Sequence, residues 1–493
     1  MRGRVQGREL VSGGRSRLWL ALALLVLATS CSDRSGAGQV SVPDVTGPAP
    51  AAVPPNRLGV KWDWSRVNSF APYLGQMSGG TTFFELVWCE VQPQRGADLR
   101  WEASDAVAAG STKLGYTLAF KVRTGTCWAT DGRGSDPRGD RGKTASASPA
   151  DPAAHDAFVS AAVARYGARG VHLWAIENEV NAANSWKGTP KEYDRLARRT
   201  AATIRAADPG AMVADFGLSS TGWGTAVAKD LLGQKGREDD AVAAWNSWFA
   251  RRGRAAFPMV QTPAELSRAL DDPLTERNLA MFEVARGLAA DGVVDITQVH
   301  FYEAPGNVPA LAELFQRTFP ATARMEAWEV GRFDRPGPTA AEPDLDLQAG
   351  EALRSVVSLL VGGAQRVIWL PAAVNPEGRN PDEPRAGLMQ PDGTVRPAGL
   401  ALAALVAATA VDAQVTPLPA TSRLEGAVFA PLAGPAVLVA WARDQAVRLA
   451  TAGVLVRLAP AATVADGLID VGGSPVVLEV TAGTVAALAL GTA

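Results

Sequence analysis

Between residues 57 and 411 the chain alternates short β-type runs with longer helical stretches, and does so eight times. The runs fall at Leu58–Trp62, Thr81–Trp88, Tyr116–Val122, Val171–Ile176, Met212–Phe216, Ile296–Phe301, Arg324–Glu329 and Arg366–Leu370. Between them lie amphipathic stretches such as Asp156–Tyr166 and Pro190–Ala207, the second stopped by Asp208-Pro209-Gly210. A strand followed by a helical crossover is the unit of a parallel α/β fold. Eight such units in roughly 350 residues predict a (β/α)8 barrel with insertions.

The largest insertion is expected from Ser219 to Leu288, between the fifth and sixth strands, with a charged stretch from Lys235 to Asp240. A Gly/Arg/Asp-rich loop runs from Thr130 to Ala150 after the third strand. Both belong on the C-terminal face, where barrels build their active sites. The apolar run Gly399–Val411 is too short to span a membrane and reads as the last barrel helix. Beyond it, β-rich runs recur at Ala427–Ala430, Ala436–Trp441, Val447–Ala450, Val454–Leu458, Val476–Val480 and Val485–Leu490, punctuated by Gly, Pro and Asp. Residues 412–493 are therefore expected to form a small all-β sandwich domain.

The first 31 residues read as a targeting segment. Arg15 and Arg17 precede the apolar run Leu18 to Ala28, which leads into Leu27-Ala28-Thr29-Ser30-Cys31. Small residues before a cysteine resemble the bacterial lipobox, which predicts a diacylated Cys31 as the new N-terminus. Ordinary signal cleavage near Ser30 is the other reading. Both export the protein, and the first anchors it by lipid to the outer side of the cell membrane. Residues 32–56 are rich in Ser, Gly, Pro and Ala and read as a flexible tether. After export, Cys89 and Cys127, which follow consecutive strands, either pair in an oxidising compartment or remain buried thiols.

Composition narrows the chemistry. An apolar content of 47% and a charged content of 20% describe an ordinary globular protein. A net charge of −2 gives no whole-chain electrostatic reason to expect nucleic acid, and Arg251-Arg252-Gly253-Arg254 reads as a solvated face. The three histidines form no His-Glu-x-x-His, and no Gly-x-Ser-x-Gly elbow appears. Gly142-Lys143-Thr144 imitates the end of a phosphate loop, but Pro137 stands where its first glycine must be. No metal or cofactor is expected, and oligomeric state is not legible.

Two strand ends carry acids. Trp174-Ala175-Ile176-Glu177-Asn178-Glu179 closes the fourth strand and Met325-Glu326-Ala327-Trp328-Glu329 closes the seventh. Paired carboxylates at barrel strand ends suit glycoside cleavage, retaining at about 5–5.5 Å separation and inverting at about 6.5–9.5 Å. Asn178 is placed to donate to a sugar 2-hydroxyl. Strand alternation gives Glu177 and Glu179 the same facing, and gives Glu326 the opposite facing to Glu329.

On these residues the chain resembles clan A glycoside hydrolases, closest in flavour to family 39 and its family 5 and 42 relatives, over about residues 57–410. The resemblance implies that Glu179, after Asn178, is the acid/base and that Glu329 is the nucleophile of a retaining enzyme acting on a β-linked glycoside or polysaccharide. Leu86-Val87-Trp88-Cys89-Glu90 through Trp101, His300-Phe301-Tyr302 and Gly387-Leu388-Met389 through Pro397 resemble further clan segments. The resemblance implies that Tyr302 contacts the nucleophile and that Trp369 is a sugar platform; His300, the one histidine near a strand end, is expected to be a hydrogen-bonding pocket residue and not a metal ligand. Trp62 and Trp88, at other strand ends, are expected to line subsites by stacking on pyranose faces. The Arg that many clan members carry near the second strand has no counterpart in Thr82-Phe83-Phe84-Glu85-Leu86; Arg123 or Lys121 of the third strand is the candidate substitute. That departure motivates the rival expectation of an inactive barrel that binds carbohydrate or acts as a scaffold.

Overall fold

The computed structural model describes residues 41–50, 54–131, 145–251, 257–332, 344–373, 387–450, 454–458, 464–465 and 468–480. The expected signal segment, Cys31, most of the 130–150 loop's tip and the strand at 485–490 lie outside them. Among the described residues no helix is long and apolar enough to cross a membrane.

Eight parallel strands form the barrel: β1 (Leu58–Val60), β2 (Thr81–Val87), β3 (Thr117–Arg123), β4 (Leu173–Ile176), β5 (Met212–Ala214), β6 (Ile296–Phe301), β7 (Arg324–Val330) and β8 (Val367–Trp369). Hydrogen-bonded neighbours run β1-β8-β7-β6-β5-β4-β3-β2, which is a TIM barrel with its seam between β1 and β2. Glycine closes that seam: a Cβ on Gly59 would lie 2.0 Å from Thr81 O, and one on Gly80 2.0 Å from Leu58 O. Phe83, Ala119, Leu173, Ala175, Ala214, Ile296, Trp328 and Ile368 fill the interior. The opposite faces of the strands pack under the helices in the main core.

The helix Pro190–Ala207 starts on a Thr189/Glu192 capping box with Pro190 in its first turn. The insertion after β5, whose sequence reads as partly helical, carries the helices Ser220–Leu232, Glu238–Phe249, Pro263–Leu270 and Pro273–Ala290. Pro263 and Pro273 each open a helix behind a Thr262 or Asp272 cap that accepts backbone N–H bonds.

Two expectations need correction. The run Gly399–Val411 is helical only within Pro397–Ala403. Its later residues instead bond to the chain entering β1, Arg57 N to Thr409 O (2.8 Å) and Val411 N to Pro55 O (2.9 Å). In the β region, the strands Gln414–Pro417, Val464–Ala465 and Leu468–Val471 went unread, being short and broken by Pro, Asp and Gly.

The C-terminal strands form a five-stranded antiparallel sheet and a three-stranded one. They share a core of Leu424, Val428, Leu438, Leu449, Ile469, Val471 and Leu478. Alternate residues, among them Ala427, Phe429, Val439 and Trp441, face the other way into the main core. Arg354, on the helix Leu345–Val361, lies over the Trp441 ring at 5.4 Å. The β domain thus braces a barrel helix, and none of its described residues enters the site described next.

Candidate active site

β7 carries the feature that builds the site. Ala327 pairs with Val299 and Glu329 with His300 on one side; on the other, Ala327 pairs with Val367 and Val330 with Trp369. One extra β7 residue therefore opposes each neighbour, a bulge at Trp328. Trp328 stays in the barrel interior, stacked on Phe83 at 6.4 Å, while Glu329 is turned into the mouth. Glu326 lies deeper, accepting from Trp328 Nε1 (2.8 Å) and Arg366 Nη1 (2.8 Å). Simple alternation separates Glu326 from Glu329 but does not foresee that Trp328 and Glu329 share the inside.

Opposite, the end of β4 turns sharply. Glu177 and Glu179 both adopt left-handed backbone, φ 67° and 44°. Non-glycine residues held there carry strain of about 1–3 kcal/mol and cluster at functional sites. Glu177 N donates to Val122 O (2.8 Å) and Glu179 N to Phe216 O (2.8 Å), so the two acids are tied to strands on either side. Glu177 is consumed structurally. Its Oε1 accepts from Thr124 N (2.8 Å) and Oγ1 (3.0 Å), and its Oε2 lies 3.5 Å from Arg123 Nε. Burial raises its pKa, against the pull of Arg123 and the Thr124 amide.

Glu179 and Glu329 meet across the mouth. One oxygen of each, with a ring nitrogen of His300, all lie within 4.8 Å of one another. His300 Nδ1 is 3.1 Å from Glu179 Oε1 and 3.5 Å from Glu329 Oε2. Glu329 collects further donors: Lys121 Nζ at 2.7 Å from Oε1 and Tyr302 Oη at 3.0 Å from Oε2. Burial alone would raise the Glu329 pKa. The charges of His300 and Lys121 outweigh burial and the repulsion of Glu179, and hold it below the ordinary glutamate value. Three ligating groups this close resemble a cation site, but the Lys121 ammonium already sits on Glu329, so a metal ion would crowd two positive charges onto one carboxylate.

Of the two basic residues weighed on β3, Lys121 reaches Glu329 and Arg123 does not. Both point inward from β3, but Arg123 is taken by Glu85 (2.7 Å) and Glu177. Lys121 also donates to Asn178 Oδ1 (2.6 Å) and lies over Phe83 at 4.1 Å. Phe83 of β2 thus offers Lys121 a π face.

The sequence missed Lys61, which follows β1. Its Nζ donates to Trp62 O (3.2 Å) and faces Phe83 at 5.5 Å. Burial lowers its pKa to about 8, against the nearby charges of Glu85 and Asp63. It was legible only as the inward partner of Gly59, once β1 had been ended before Trp62. Also missed was Asp215, after β5, whose Oδ1 accepts from Gly217 N (3.0 Å) and Gln298 N (2.9 Å).

The expected sugar contacts divide. Tyr302 reaches Glu329 directly, and Asn178 is joined to it only through Lys121. His300 is fully buried between Glu179 and Glu329, so it bridges the pair and does not line the open pocket. Trp369 is 4% exposed and walls a cleft with Gly331, Arg332 and, from the helix Leu345–Val361, Gln348, Glu351 and Ala352, while its neighbour Ile368 takes the barrel interior. Trp62 and Trp88 are not in the mouth. Trp62 packs on Trp64 (4.7 Å) and Tyr116 (5.0 Å), because inward Lys61 leaves Trp62 facing the helix layer. Trp88 starts a one-turn helix and stacks on Phe158 (5.7 Å), with no exposed surface. Next to it, Cys89 and Cys127 form a disulfide with Cα atoms 5.8 Å apart, tying the end of β2 to the end of β3.

Fold and site together define a (β/α)8-barrel protein with two facing carboxylates at the ends of β4 and β7. No protein-family model matches the chain, and no curated protein matches it. Solved structures match in fold. A family 39 glycoside hydrolase from Bacteroides cellulosilyticus WH2 aligns over 87% of this chain and 81% of its own, with TM-score 0.58 and 15% identity. A GH39 β-xylosidase from Caulobacter crescentus aligns over 89% and 98%, with TM-score 0.51 and 14% identity. At such identities the likeness shows the fold and no more.

Proposed function

We propose that this chain is a retaining glycoside hydrolase acting on a β-linked glycoside or polysaccharide. The observation that carries the reading is the approach of Glu179 and Glu329 oxygens to within 4.8 Å, on the short side expected for double displacement. Ionised Glu329 attacks the anomeric carbon as the bond to the leaving oxygen breaks, and protonated Glu179 gives that oxygen its proton. Water then attacks the same carbon, gives a proton to Glu179 and releases Glu329. Lys121, Tyr302 and His300 surround Glu329, which favours its ionised form at the start of each cycle. The names of the two fold neighbours above, a family 39 glycoside hydrolase and a β-xylosidase, agree with the class. Lys121 on Glu329 also weighs against the rival of an inactive, carbohydrate-binding barrel.

Export with a lipid anchor on Cys31 belongs to the same proposal. It is supported by the leader from Arg15 to Cys31 and by a disulfide that suits an oxidising compartment. The catalytic reading is tested by turnover of aryl β-D-xylosides and β-D-glucosides, with the first-formed anomer followed by proton NMR. Retention at the anomeric carbon is expected, with Glu179→Gln slowed about 10²–10⁴-fold on phenyl glycosides. Inversion, or turnover unchanged in both Glu179→Gln and Glu329→Gln, would refute it.

A further inference from the structure

Resting on the proposed acid/base role of Glu179, the strained turn that carries it raises the question of what holds it in place. After Glu179 the chain runs to Thr189 with no helix or strand of its own, and its carbonyls need partners. Backbone N–H groups serve Glu179, Ala182 and Ser185, and a single side chain from a distant element serves four more. Arg277 Nε donates to Asn181 O (2.9 Å), Nη1 to Gly188 O (3.2 Å), and Nη2 to Val180 O (2.8 Å) and Trp186 O (3.1 Å). Among the described residues no carboxylate pairs with Arg277, so carbonyl dipoles alone receive its charge.

Its neighbour on the helix Pro273–Ala290 continues the attachment. Asn278 Oδ1 accepts from Asn181 Nδ2 (2.8 Å), which also donates to Ser219 Oγ (2.7 Å), and Ser219 N donates to Asn181 Oδ1 (3.1 Å). The insertion between β5 and β6 thus grips the β4 turn from its first helix and its last. Simple packing would not need four carbonyls from one loop converging on one guanidinium. The planar fork, with five fixed donors, is suited to that task where an ammonium is not.

We propose that Arg277 is a positioning residue for the acid/base: it fixes residues 180–188, and so keeps the Glu179 carboxyl against His300 and over the leaving-group oxygen. A misplacement of about 1 Å in a reacting group is worth about 10²-fold in rate. Proton donation to the leaving group depends on that placement, whereas attack by Glu329 does not.

The test compares phenyl with 2,4-dinitrophenyl β-D-xylosides, or the β-D-glucosides where those are the better substrates, in wild type, Arg277→Met and Arg277→Lys. kcat/KM reports the step up to glycosyl-enzyme formation, and dinitrophenolate departs without a proton. Arg277→Met is expected to lose about 10–100-fold on the phenyl glycoside and less than about threefold on the dinitrophenyl one. Arg277→Lys is expected to fall between, and serves alone if the Met variant does not fold. Amide hydrogen exchange should quicken over residues 177–188 in either variant. Equal losses on both leaving groups, or unchanged exchange in that segment, would overturn the proposal. Wild type inert on every glycoside would instead sink the enzyme reading beneath it.

Discussion

Lys121 Nζ lies 2.7 Å from Glu329 Oε1 and 2.6 Å from Asn178 Oδ1, in a side chain with no exposed surface. One ammonium from β3 therefore links the carboxylate of β7 to the amide that precedes Glu179. It holds the ionised form of Glu329 and orients the amide assigned to the sugar 2-hydroxyl.

Replacing it should be visible in a pH profile. Glu329 is held below its ordinary pKa, so activity that needs the carboxylate disappears only as pH falls through that lowered value. In Lys121→Met the acid limb of kcat/KM should move upward, toward the ordinary glutamate range or beyond it. Breaking the buried pair should also cost about 3–5 kcal/mol of stability. An acid limb that stays in place would show that Lys121 does not set the ionisation of Glu329.

The barrel was legible because its signals are local. Strands β1 to β8 and the capped helix Pro190–Ala207 follow from periodicity and from Thr189, Pro190 and Asp208 at the boundaries. The two acids were legible as strand ends plus a resemblance. What alternation could not give was the bulge at Trp328, since a two-residue period carries no record of an inserted residue. Trp62 was misplaced for a different reason: its strand-end position suggested a subsite, although alternation already sets it on the face of Leu58 and Val60, toward the helices. Lys121 and Arg123 share a facing, so only their partners in space tell them apart.

Gly217 should be intolerant of any side chain. It has φ 65°, and a Cβ there would fall 2.1 Å from His300 Nε2. Gly217→Ala is expected to push His300 off the two carboxylates, lowering stability by about 1–3 kcal/mol and kcat/KM about 10²-fold. Wild-type kinetics in this variant would mean that the His300 bridge is dispensable.

Asp215 predicts a pH dependence of folding with the opposite sign to that of Glu329. Burial raises its pKa from 3.8 to about 7, against the amide donors of Gln298 and Gly217. Between those values the folded chain holds a proton that the unfolded chain has released, so this group's contribution to stability falls as pH rises and levels above 7. Asp215→Asn lacks the effect. Its stability relative to wild type should climb by about 3 kcal/mol from pH 4 to 7. A difference that stays flat across that window would rule out a buried titration at this position.

The Cys89–Cys127 bridge spans 38 residues of sequence. Loop-closure entropy for that length corresponds to about 4 kcal/mol. Cys89→Ser with Cys127→Ser should lower the unfolding free energy by that order in denaturant titrations, and an unreduced digest should yield the two peptides linked. Unlinked peptides together with unchanged stability would contradict the bridge.

The central claim is that Glu329 is the group that bonds to sugar, and it can be read directly. Incubation with a 2,4-dinitrophenyl 2-deoxy-2-fluoro-β-glycoside of an accepted sugar, followed by proteolysis and mass spectrometry, locates the trapped intermediate. The fluorosugar mass should appear on Glu329, in the peptide containing Trp328 and Val330. A label on another residue, or none in an enzyme that turns over the parent glycoside, would contradict the account.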